Sequence, residues 1–171
     1  MKSQAEILQI INSFHELGET VQAGEFLIKE FGLEQPNFKG FEYREAAQPD
    51  FILMTTEGAF GEPQIIRLPE NAFAFPFELI LNLIAHEMVH VMQKSKENPV
   101  LDKNEREWQA YYEMLFHKIF PKIPECSDFH KKFFATKAFE YYKRMGEGSE
   151  LQQKYAAQKL EVENLVASLP Q

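Results

Sequence analysis

Apolar residues recur at helical intervals at Ile7, Ile10, Ile11, Phe14, Leu17 and Val21, behind a Ser3–Glu6 pair with the spacing of a capping box. An amphipathic helix therefore opens the chain. A second helical stretch runs from Glu25 to Phe31, with Gly32 placed to end it and Pro36 beyond, so that the N-terminal helices occupy 3–31. The period then shortens to two. Phe41-Glu42-Tyr43-Arg44 alternates, Phe51 to Met54 is a short apolar run, and Gln64 to Leu68 is β-branched. Gly58, Gly61 and Pro63 mark the turn between the last two. These segments predict a small three-stranded sheet within 38–68.

From Pro76 the helical period returns, but Phe77, Leu79, Ile80, Leu81, Leu83, Ile84, Met88, Val89, Val91 and Met92 fall on nearly every side. A helix over 76–94 with such a surface must be buried. Asn98-Pro99 interrupts the pattern, and Asp102 and Glu105 have capping-box spacing ahead of a helix over 103–119 carrying Trp108, Tyr112, Leu115 and Ile119. Two C-terminal helices follow, over 127–146 and 149–169. The expected class is α+β: mostly helical, with the small sheet packed against the buried helix. No repeat or Pro/Gly/Ser-rich linker divides residues 1–171, which read as a single domain.

Composition narrows the function. With 44% apolar residues and sixteen Phe, the 171-residue chain has the means to bury a core, which disordered sequences lack. A formal net charge of −8 argues against nucleic acid or an anionic membrane as the main partner. The longest apolar runs fall short of the ~18 residues of a membrane span, and no apolar signal segment follows Met1, so a soluble, cytoplasmic protein is expected. Cys126 stands alone, so any metal must be held by nitrogen and oxygen.

The buried helix carries His86-Glu87-Met88-Val89-His90, the HExxH spacing. Residues four apart share one helical face, so both imidazoles can converge on one ion with Glu87 beside them. These polar residues interrupt an otherwise apolar helix, and burying unpartnered polar groups costs about 1–3 kcal/mol each. An ion would supply the missing partner, and the geometry suits zinc. A catalytic zinc also needs a third protein ligand and an open position for water. A third histidine of the metzincin kind is excluded, because the required position is Lys96 and Gln93 stands where that pattern has glycine.

The nearby carboxylates are Glu97, Asp102, Glu105 and Glu107. Glu97 lies in the polar Lys94–Asn98 stretch, and Asp102 and Glu105 are most simply used in capping. Glu107 is left over. If the first helix ends near Lys94, His90 lies about 6 Å from that end, and Glu107 lies about 7.5 Å past Asp102. An antiparallel pair would set the two level, with Ala110 small enough for close approach and Trp108 and Tyr112 covering the flank.

His86-Glu87-x-x-His90 followed by Glu107-Trp108-Gln109-Ala110-Tyr111 resembles the zinc metallopeptidases of the gluzincin type, whose third ligand opens a Glu-aromatic-x-Ala-Asp stretch. The likeness covers residues 86–111 and departs from the pattern at Tyr111, where the family has an Asp that braces a ligand. It implies a zincin-like domain with one Zn2+ per chain held by His86, His90 and Glu107. It also implies Glu87 as general base, and hydrolysis of a peptide or protein substrate by a zinc-activated water. Tyr111, Tyr112, His117, His130, Tyr141 and Tyr142 are the available donors to a developing oxyanion. An edge strand at 51–55 or 64–68 would accept an extended peptide. The competing reading is a zincin-like interaction module without catalysis.

Overall fold

The computed structural model describes residues 2–170. Among them are seven α-helices, a single 3-10 turn at Ala72–Ala74 and three strands. Helices α1 (Gln4–Glu16) and α2 (Thr20–Phe31) open the chain. Ser3 caps α1 through a reciprocal capping box with Glu6, as the spacing predicts. The break at 17–19 gives Val21 to α2, which begins five residues before the expected Glu25. Gly32 ends α2 in the left-handed region at φ 66°, a conformation that costs glycine little.

Strands β1 (Phe38–Arg44), β2 (Thr55–Glu57) and β3 (Gln64–Pro69) form a mixed sheet in the order β1-β3-β2. β3 is central, parallel to β1 and antiparallel to β2. Two expectations are corrected here. Residues 51–54 make no strand beyond a single bridge between Phe51 and Gln48, because sheet pairing starts only at Thr55, opposite Arg67. An apolar run signals burial of side chains, not ladder pairing, and Met54 is indeed buried. Nor can 64–68 serve as an edge, since both its sides are paired.

Helix α3 (Phe77–Gln93) is buried along most of its length, as its apolar circumference requires. It packs with α1, α2 and the sheet in one core, where Leu27, Ile66, Leu68, Ile80, Leu81 and Ile84 are fully covered. Gly24 lets α2 approach the sheet: a Cβ there would stand 2.9 Å from the Phe41 ring. Helix α4 (Lys103–Phe116) crosses beside α3, and Ala110 is fully buried in the shared core. The other face of α4 builds a second core around Trp108 with α5 (Asp128–Arg144), α6 (Glu150–Lys154) and α7 (Ala156–Ser168).

Two helix boundaries and one cap differ from expectation. α4 stops at Phe116, three residues short of 119, because the buried Glu113 carboxylate accepts the main-chain N–H groups of Ile119 and Phe120 and folds the chain back. The predicted helix 149–169 is two helices, broken at Tyr155. Asp102 caps α4 through the Glu105 N–H at 2.9 Å, but Glu105 does not close a box. Its carboxylate instead accepts from Tyr155 Oη at 2.6 Å and Lys154 Nζ at 2.7 Å. The residue at the break, Tyr155, is thus also the one that engages Glu105.

Candidate metal centre

The loop between α3 and α4 reverses the chain and brings the last turn of α3 beside the first turns of α4. The turn is tied down by Val100 N–H on Gln93 O (2.8 Å) and by Arg106 Nη1 on Val100 O and Leu101 O (3.0 and 2.7 Å). Glu107 then reaches His86 and His90, as level placement on antiparallel helices predicts. Its Oε2 lies 3.5 Å from His86 Nε2 and 3.6 Å from His90 Nε2, and the two nitrogens are 3.1 Å apart. Both imidazoles are buried and Glu107 is half-buried. This His86–His90–Glu107 group could hold a metal ion. Its triangle has the size expected when each atom stands about 2 Å from a common centre.

Burial raises the Glu107 carboxyl pKa, but bonding to both imidazoles outweighs this and holds it well below the usual carboxylate range. Burial lowers the His90 pKa, yet Glu107 and Glu87 lift it above its ordinary value. Glu107 and His90 thus both favour their charged forms, as the close approach of the carboxylate to the rings requires.

The proton on His90 is placed by Gln93, whose amide is oriented by the main-chain Arg106 O and backed by a chain of side chains that ends at Glu105. Glu105, being a carboxylate, can only accept, so Tyr155 Oη donates to it. The Tyr155 oxygen then accepts from Gln109 Nε2 at 2.6 Å. Gln109 Oε1 accepts from Gln93 Nε2 at 2.9 Å, which also donates to Arg106 O. Gln93 Oε1 is therefore turned to His90 Nδ1, 2.8 Å away, and draws the proton there. His90 Nε2 is left with its lone pair toward Glu107 and His86, as a metal ligand requires. Replacing Gln93 by Leu is expected to weaken metal affinity by about 10- to 100-fold, read by competition against a chromogenic chelator. Unchanged affinity would show that His90 needs no such brace.

His86 is held differently. Its Nδ1 lies 3.2 Å from the Met114 sulfur, a weak acceptor, and its ring meets the Tyr111 ring edge-on with centroids 4.6 Å apart. Tyr111 thus occupies the flank of His86 with an aromatic ring and not a carboxylate, and it stacks in turn on Tyr141. Glu87, the next residue along α3, is buried and fixed by β2: Thr56 Oγ1 lies 2.8 Å from its Oε2 and 3.0 Å from its main-chain oxygen.

These residues line a cleft of about 540 Å³ between the 51–56 segment and α5. Of the six donors considered from the sequence, only Tyr111 and Tyr141 face it. Tyr112 donates to Glu161, Tyr142 to Gln152 O and His117 Nε2 to Asn82 Oδ1, while His130 pairs with Ser127. Burial and the Glu107 charge raise the Tyr111 pKa, so its hydroxyl stays protonated. The sequence reading missed Thr56, Gln109, Tyr155 and Met114, and treated Gln93 only as a departure from another pattern. The i,i+3 spacing from His90 to Gln93 was a signal for that contact; nothing local marked the others.

The fold and the site together define an α+β protein that presents a His2Glu group from two antiparallel helices. Comparison with protein-family models, curated proteins and solved structures finds no match to this chain. No helix among the described residues is long and apolar enough to cross a membrane.

Proposed function

We propose that the protein is a zinc metallopeptidase with a zincin-like arrangement, its zinc held by His86, His90 and Glu107 and Glu87 serving as general base. The observation that carries this reading is the ligand triangle, with edges of 3.1, 3.5 and 3.6 Å. Tetrahedral zinc with bonds of about 2.0–2.1 Å separates its ligand atoms by about 3.3 Å. Imidazole donors favour zinc over magnesium or calcium, which take oxygen. A bound zinc would supply Lewis acidity, polarising a substrate carbonyl and easing deprotonation of water.

The chain's own groups do the rest. Thr56 occupies Glu87 Oε2, which leaves Oε1 to take the proton of the attacking water and pass it to the departing amine. Tyr111 and Tyr141, which line the cleft, are the candidate donors to the developing oxyanion. β2 is an edge strand whose Thr55 and Thr56 line the cleft, so an extended peptide can add to it. A second reading, a zincin-like interaction module without hydrolysis, is favoured by the weak acceptor behind His86. Protein purified without chelator should carry about one zinc per chain and cleave peptides until the metal is stripped. Protein that refuses added zinc would overturn the enzyme reading, whereas bound zinc without cleavage would select the module.

A further inference from the structure

The cleft is positively charged in a protein whose net charge is −8. Among its lining residues the only carboxylates are Glu87 and Glu107, both committed to the metal group. Against them stand Lys94, Lys103, Arg106 and Lys137. Lys137 is paired with Glu140 on its own helix at 3.1 Å. The other three form no ion pair with any carboxylate among the described residues.

Their placement follows from the α3–α4 reversal: Lys94 caps the end of α3, and Lys103 and Arg106 lie in the first turn of α4, so all three gather at one end of the cleft. Lys94 Nζ reaches only main-chain oxygens, Thr56 O at 3.3 Å and Gly58 O at 3.2 Å. Arg106 spends Nη1 on Val100 O and Leu101 O and lays its guanidinium over Phe60, leaving Nε and Nη2 without an acceptor among the described residues. Desolvation, and then the nearness of Arg106, lower the Lys94 pKa, so Lys94 is partly dehydrated and close to Arg106. Like charges held together in this way are relieved by an anion.

We propose that this end of the cleft is an anion subsite that selects peptide substrates bearing a carboxylate about two residues from the hydrolysed bond. The distance comes from the helix: Lys94 is one turn, about 6 Å, beyond His90, and an extended peptide advances about 3.3 Å per residue. The subsite rests on the metallopeptidase reading and names its substrate class. Either an acidic side chain or a C-terminal carboxylate supplies the required group.

The test uses full-length, zinc-loaded protein and four peptides of one sequence. One has Glu two residues from the cleavage point and an amidated end, one has Gln there with a free acid two residues from that point, one has both carboxylates and one has neither. Expected is cleavage at least about 10-fold faster for peptides with a carboxylate than for the neutral one, the advantage shrinking as salt is raised. The first two peptides tell the side-chain source from the terminal one, and faster cleavage of either supports the subsite. Lys94→Gln and Arg106→Gln should bring the acidic peptides down toward the neutral rate. Lys103→Gln, at an exposed position without hydrogen bonds, carries the same test should Arg106→Gln fail to fold. Equal cleavage of all four peptides overturns the subsite and leaves the metallopeptidase standing. Cleavage of none overturns the activity and the subsite with it.

Discussion

Glu87→Gln is expected to keep zinc and lose about 10²- to 10⁴-fold in kcat for peptide hydrolysis, the usual contribution of a general base. Gln matches Glu in size, and its side-chain oxygen still accepts from the Thr56 hydroxyl that now bonds Oε2. Glu87 is not among the three converging ligand atoms, so the metal group should be intact. What disappears is the basic oxygen, because an amide cannot take a proton from water near neutral pH. Zinc content measured beside the rate of cleavage of a chromatographically followed peptide separates the two effects. A kcat near wild type would assign the proton transfer to another residue, and a lost zinc would make Glu87 a structural support of the site.

The second large effect concerns the ligands. Zinc at 100 times its dissociation constant stabilises the folded protein by about 2.7 kcal/mol. For a chain of this length that corresponds to a rise in Tm of about 5–10 °C. Glu107→Ala, His86→Ala and His90→Ala should each abolish the zinc-dependent part of the rise, since each leaves two ligands where three are needed. Removing Glu107 also takes away its favourable pairing with both imidazoles, and removing an imidazole leaves a cavity, so the metal-free Tm should fall somewhat and the zinc-dependent increment is the diagnostic quantity. Thermal melts with and without added zinc provide the comparison. A Glu107→Ala protein that kept the full zinc-dependent increment would place the third ligand elsewhere.

Much of this site was legible from residue spacing because its parts lie on helices, whose geometry is regular. The interval from His86 to His90 fixes a face, and two cap positions fix the level of Glu107 against His90. The apolar circumference of α3 likewise identified it as the buried helix. Legibility failed where the determinant was distant in sequence. Glu105 looked like half of a capping box, because nothing local shows that Tyr155, fifty positions on, would claim its carboxylate. The break in the last helix falls at this same Tyr155, although the apolar periodicity runs on through it. Phe51–Met54 looked like a strand because its apolar character does not say whether its backbone is paired. Thr56 carried no signal at all: its contact with Glu87 exists only once β2 has been laid beside α3.

The chain of side chains from Glu105 to His90 runs from the second core to the first, through Tyr155 at the junction of α6 and α7. The last stretch of the polypeptide therefore braces the side chains behind His90, while the main-chain Arg106 O already fixes the way the Gln93 amide faces. A shortened protein ending before Tyr155 would free the Gln109 amide to turn and cost Gln93 Nε2 one of its two acceptors, leaving Arg106 O to hold it. Attempts to reduce the molecule to a minimal unit around the HExxH helix would in this way loosen the support behind His90.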